Sequence, residues 1–219
     1  MSVVENFIGA TFSPQSALLD WAAIHDLWAR DLAAFTEKTD GAEVPYVHTE
    51  HGNTTQLAIS ASSAGYAAIR EVLGGNRGDR QGRLDLCLIS KNTVDLVEAK
   101  WVEFSVYDPL KHRIIADRLK DAVNQVRGYS NKLSRILTSG RTVRRVAVEY
   151  VTPFLENPKP FDERKLEDLL SYIKETCRPD MLSWVFPAST REFTYWGNRA
   201  YPGVIFLAKL VDMQEYEPS

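Results

Sequence analysis

Cysteine is scarce in this chain: Cys87 and Cys177 are the two among 219 residues. Two thiols exclude a disulfide framework. Cys87 lies in an apolar run and reads as a small buried side chain. Long hydrophobic runs are missing as well, since no stretch approaches the roughly 18 apolar residues of a membrane-spanning helix. The opening segment MSVVENFIGATF has no basic stretch followed by an apolar one, so it does not read as a signal peptide. A reducing, cytoplasmic setting without a membrane partner is the expectation. The sequence holds no GxxxxGK(S/T) loop for ATP-driven work and no GxSxG element for a nucleophilic serine. Internal repeats and low-complexity segments are absent too.

What remains is an ordinary globular mixture, 44% hydrophobic and 25% charged. One domain is expected over 1–219, with an N-terminal helical extension over 1–45, a core over 46–155, and a helix and strands completing it over 156–219. Net charge is −3, which is no global sign of a polyanionic partner. The distribution is uneven, however. Ten Lys and Arg stand between Lys111 and Arg145, against two acids, Asp117 and Asp121. That segment carries +8 and the remainder −11. It reads either as a solvated helix face or as a surface that tracks a nucleic-acid backbone.

Leu18, Trp21, Ile24, Trp28, Leu32 and Phe35 recur every three or four positions and predict an amphipathic helix over 16–38. A second helical stretch runs from about Thr54 to Leu73, interrupted at Gly65. GGNRGDRQG over 74–82 predicts a flexible, basic loop. Strands are predicted over 83–90, 93–101, 142–154, 183–188 and 203–211. Helices are predicted over about 109–137 and over 162–177. This order predicts an α/β domain, a central mixed β-sheet flanked by helices on both faces, with an extra N-terminal helix.

The informative region is Arg83–Trp101. A two-residue turn at Lys91-Asn92 would pair Ser90 with Thr93 and set Asp85 opposite Glu98. Side chains alternate along a strand, so Asp85, Glu98 and Lys100 then share one face. Both faces are otherwise apolar. Like charges opposite one another destabilise a sheet, and buried carboxylates must be paired, protonated or bound to a cation. An oxygen-loving divalent ion such as Mg²⁺ resolves the clash. Neutralisation by Lys100 and Arg83 is the purely structural alternative.

Arg83-Leu84-Asp85, followed after a short hairpin by Glu98-Ala99-Lys100, resembles the PD-(D/E)xK nuclease superfamily. Gln125-Val126-Arg127-Gly128-Tyr129 is similar to the Q-x-x-x-Y element of its RecB-like members, with Gln125 and Tyr129 on one helical face. The residue before Asp85 is leucine, where the family name has proline. The resemblance spans roughly 50–155 and implies a restriction-endonuclease-like core. It implies Asp85 and Glu98 as ligands of Mg²⁺ or Mn²⁺, with the Ala99 carbonyl as a third oxygen. Lys100 would orient the attacking water or stabilise charge on the phosphate. Gln125 and Tyr129 would hold the phosphate or the Lys100 side chain. Members often carry a further Glu on a preceding helix. Glu50 and Glu71 compete for that place as a further metal residue, and Glu50 is preferred.

The implied reaction is metal-assisted phosphodiester hydrolysis of DNA, with RNA as a weaker option. Arg77 and Arg80 in the glycine-rich loop, and Arg113, Arg118 and Arg127 in the basic stretch, are the candidate nucleic-acid contacts. Cutting both strands suggests a homodimer, although no sequence feature specifies one. The competing function is a nuclease-like module that binds nucleic acid or a protein without cutting. His48 and His51 lack the further ligands of a zinc site. Trp184, Phe186, Phe193, Tyr195, Trp196 and Tyr201 read first as packing and second as a base-stacking surface.

Overall fold

The computed structural model describes residues 6–14, 16–77, 80–108, 112–129, 140–156, 162–190, 194–195 and 199–211, with the backbone alone for 73–77, 80–82 and 194–195. The elements are β1 (Phe7–Phe12), α1 (Ala22–Lys38), α2 (Glu50–Ser63), β2 (Ala67–Arg77), β3 (Arg80–Ile89), β4 (Thr93–Ser105) and α3 (Arg113–Arg127). They continue with β5 (Thr142–Glu156), α4 (Glu163–Cys177), β6 (Met181–Phe186), β7 (Thr194–Tyr195), β8 (Arg199–Ala200) and β9 (Val204–Leu210).

The main sheet runs in the order β1-β6-β9-β5-β4-β3-β2. β4 and β5 are parallel over their whole shared length and the other neighbours are antiparallel, so the sheet is mixed. β7 and β8 form a small ribbon on the end of β5. The central strand β5 is buried from Arg144 to Leu155, the pattern of a strand covered on both faces. One core joins Trp21, Ile24, Trp28 and Leu32 with Leu57 and Ala61 beneath α1 and α2. The second joins Ile115, Leu119 and Val126 with Leu166, Leu169 and Ile173 beneath α3 and α4. The chain is therefore an α/β fold with helices on both faces of an open mixed sheet.

Several boundaries differ from the sequence reading. The N-terminal stretch carries a strand, β1, ahead of its helix. Its partner β6 lies at the other end of the chain, so no local pattern announces the pairing. Gly9 is required there, because a Cβ would stand 2.5 Å from the Trp184 ring. The second helix stops at Ser63, and residues 67–73, which read as helix, are strand. Ala, Glu and Leu favour helix locally, but pairing with β3 overrides that preference. The glycine-rich loop is shorter than expected, since β2 extends to Arg77 and β3 begins at Arg80.

Candidate active site at a strand fork

The hairpin between β3 and β4 is tight. The Ser90 amide donates to the Thr93 carbonyl at 2.9 Å, and the Ser90 hydroxyl accepts from the Asn92 and Thr93 amides. The register follows the two-residue turn: Ile89 pairs with Val94 and Leu86 with Val97. There the ladder ends, one position short of the expected Asp85–Glu98 pair, which does not form. β3 goes on with β2 as far as Arg80, while β4 goes on with β5 as far as Ser105. The strands part like a fork, leaving amides on one edge of β4 without a β3 carbonyl.

Two carboxylates fill the fork. Asp85 accepts from the Ala99 amide at 2.7 Å. One pair further along, the Trp101 amide lies against the Glu50 carboxylate and stabilises its charge. Glu50 arrives from the opposite face of the sheet through its own local logic. The Thr49 side chain caps α2 by accepting from the Gly52 amide, and an acid in the first helical turn suits the helix dipole. Asn53 ties that turn to the Tyr46 carbonyl, which also accepts from Thr152 of β5.

Glu98 and Lys100 interrupt the apolar row of Val94, Leu96, Val102 and Phe104 on β4. The Lys100 ammonium donates to the Ala99 carbonyl at 2.7 Å and to Glu98 Oε1 at 3.2 Å. It stands 3.9 Å from Glu50 Oε2. Glu98 Oε2 is buried with no hydrogen-bond partner among the described residues. Burial, reinforced by the charge of Asp85, pushes the Glu98 carboxyl up to about 7. Burial likewise raises Asp85 and Glu50, against the stabilising charge of Lys100. Asp85, Glu98, Lys100 and Glu50 are thus one electrostatic cluster. Glu71 is a peripheral neighbour: it is half-exposed and lies 3.8 Å from Arg83. Its backbone is left-handed (φ 53°) opposite Asp85, a kink that non-glycine residues rarely adopt.

Other candidates fall elsewhere. α3 ends at Arg127, and the Gly128 and Tyr129 amides turn back to the Gln125 and Val126 carbonyls. Gln125 and Tyr129 therefore do not form a continuous helical i, i+4 pair, and no bond joins the Gln125 side chain to the cluster among the described residues. The Tyr129 carbonyl accepts from Arg145. Arg113, Arg118 and Arg127 lie exposed on α3, with Arg113 paired to Asp117. Arg118 is near enough to stabilise the Glu50 charge.

The basic stretch is not one surface. Arg144 and Arg145 are buried on β5, and Arg144 is locked to Asp95 and Asp20. A central strand leaves its charges no solvent, so they must pair. Arg77 and Arg80 pair across the hairpin, and their side chains lie outside those described. His48 binds Glu43. Phe186 and Tyr201 are core residues, and Trp184 packs on Phe7. Phe193 and Trp196 lie outside the described residues, as does the Tyr195 side chain.

Two groups escaped the sequence reading. Glu149 on β5 stands in register with Lys100, fully buried, and neither carboxylate oxygen has a hydrogen-bond partner among the described residues. Burial raises its carboxyl well above the ordinary range, against the stabilising charge of Arg118. A lone acid inside VAVEYV was the available signal. Arg70 on β2 reaches His51 and Thr55 on α2, beside the cluster.

Comparison of the chain with models of protein families, with curated proteins and with solved structures finds no match. The described residues contain no group of three or more carboxylate, imidazole or thiolate side chains arranged to hold a metal ion. The donors at the fork are nevertheless all oxygen: Asp85, Glu98 with one orphaned atom, and the Ala99 carbonyl. That set suits Mg²⁺, which commonly takes one or two carboxylates and completes its shell with water and substrate phosphate.

Proposed function

We propose that this chain is a Mg²⁺- or Mn²⁺-dependent nuclease of the PD-(D/E)xK type, hydrolysing phosphodiester bonds of DNA. The observation that carries the reading is the fork itself. Two acids and an amine are held where the β3–β4 ladder stops, with a buried Glu98 oxygen that has no hydrogen-bond partner among the described residues. A protein that needed only stability would fill such a place with apolar side chains.

Asp85, Glu98 and the Ala99 carbonyl would hold the ion. When bound, a divalent ion polarises a phosphoryl oxygen and acidifies water. Lys100 would present its ammonium to the phosphate as a compact positive charge. Glu50, behind it at 3.9 Å, keeps that ammonium near the fork. Arg118 adds positive charge from α3.

The test is digestion of linear, circular, branched and single-stranded DNA with Mg²⁺, Mn²⁺ or EDTA. Wild type is compared with Asp85→Asn and Lys100→Ala. Metal-dependent cleavage lost in both variants is expected. Cleavage unchanged in both variants would overturn the assignment. A second reading, a non-cutting module, has one observation behind it: the Lys100 ammonium already occupies the cation's place between Glu98 and the Ala99 carbonyl. DNA binding without Mg²⁺ or Mn²⁺ binding in calorimetry would favour that reading.

A further inference from the structure

Resting on the nuclease reading, we propose that Arg70, with His51 and Thr55, forms a backbone-phosphate subsite for DNA beside the carboxylate fork. Arg70 leaves β2 at the position paired with Leu86, one residue short of the kink at Glu71. Its Nη1 lies 3.1 Å from His51 Nε2 and touches the Thr55 hydroxyl, and its Nη2 lies 2.6 Å from His51 Nδ1.

These contacts are mismatched. A guanidinium only donates, while a neutral imidazole accepts at one nitrogen and a charged one at none. In every state of His51, at least one of the two contacts sets a donor against a donor. The Thr55 hydroxyl spends its own proton on the His51 carbonyl at 2.7 Å, so it serves as an acceptor that orients Arg70. Arg70 Nε is buried without a partner, and no ion pair engages Arg70 among the described residues. The guanidinium is therefore short of acceptors. The two free oxygens of a phosphodiester supply them in the forked geometry that arginine matches.

The position fits a substrate strand. Arg70 is near enough to stabilise the Asp85 charge, and His51 follows Glu50 directly in the chain. Arg118 stabilises the Glu50 and Glu149 charges from α3, on the other face of the sheet. A DNA strand crossing the fork meets one cation on each side of the carboxylates.

The experiment is fluorescence anisotropy in EDTA, without turnover, using a short labelled single strand and a short labelled duplex over a salt series. Arg70→Ala is expected to weaken binding roughly five- to eightfold at about 0.1 M salt. The slope of log affinity against log salt should become shallower by about 0.7 for the single strand and about 0.9 for the duplex. Arg70→Lys should keep the slope and bind more weakly than wild type. Suppose Arg70→Ala, folded by circular dichroism, matches wild type in affinity and slope while Arg118→Ala shallows the slope. The subsite then falls and the nuclease reading stands. If wild type binds neither probe, both fall. Should Arg70→Ala fail to fold, Arg70→Lys decides, and an unchanged affinity overturns the subsite.

Discussion

The Asp85 carboxylate takes the Ala99 amide at 2.7 Å, replacing the carbonyl that β3 no longer offers to β4. The contact explains why an acid sits inside an apolar sheet. It satisfies a backbone donor and at the same time raises the proton affinity of Glu98. Structure and chemistry therefore share a residue, and substitutions there should separate the two.

Asp85→Asn keeps an acceptor for the Ala99 amide and removes the charge. The Glu98 carboxyl should fall from about 7 toward ordinary glutamate values, because Asp85 is one cause of its elevation. Its raised value means that the folded state holds this proton more tightly than the unfolded chain does. Wild-type stability from this group is thus fully present below the unfolded value and is lost as pH rises through about 7. Near pH 8 the variant should be more stable by about 1 kcal/mol, the scale of one pKa unit. Carboxyl ¹³C titration and thermal melts check both effects, and a Glu98 value unmoved by the substitution contradicts them.

Lys100→Ala leaves Glu98 buried without its cation. Near pH 8 a loss of about 2–3 kcal/mol is expected, below the full penalty of a broken buried pair because Lys100 keeps some water. Mg²⁺ or Mn²⁺ should then raise the melting temperature of the variant more than that of wild type, since the ion takes over the vacated role. Equal or absent metal shifts in both proteins count against the fork as a cation site.

Glu149→Gln preserves shape and removes an ionisable group from a buried position on β5. Burial raises the wild-type carboxyl, so ionising it works against folding above the unfolded glutamate range. The variant should be more stable than wild type near pH 8 by about 1–3 kcal/mol. The difference should vanish as pH falls toward that range. Urea unfolding at several pH values gives the curve, and a pH-independent difference rules this account out.

Asp95→Ala strips Arg144 of its buried partner. Arg144 donates to both Asp95 oxygens, at 2.6 and 2.7 Å, and Trp21 donates to the same carboxylate at 2.8 Å. A loss of about 3–5 kcal/mol is expected in urea unfolding. A loss below about 1 kcal/mol would mean that the network is not what seats the 3-10 turn at Leu19–Trp21 on the sheet.

The residues of 83–101 carried their arrangement openly. A two-residue turn and a period of two need only neighbours in the chain, so the register from Ile89–Val94 to Leu86–Val97 was readable in advance. So was the apolar stripe of α1, whose Ile24, Trp28 and Leu32 are buried. A family resemblance supplies the expectation of a further Glu, and the start of a helical stretch favours Glu50 over Glu71. The approach of Glu50 to Lys100 came from the packing of α2 across the sheet.

Local composition and periodicity, then, settled the coarse α/β class of the fold and the shared strand face of Glu98 and Lys100. Three-dimensional packing settled the rest. It paired β1 with β6 across the length of the chain, turned residues 67–73 from helix to strand, and buried Arg144 and Arg145 on a central strand instead of presenting them to solvent. It also ended the β3–β4 ladder at Leu86 and set Glu149 beside Lys100. These outcomes depend on which distant segments compete for each backbone donor and each buried volume, and that competition has no period along the chain.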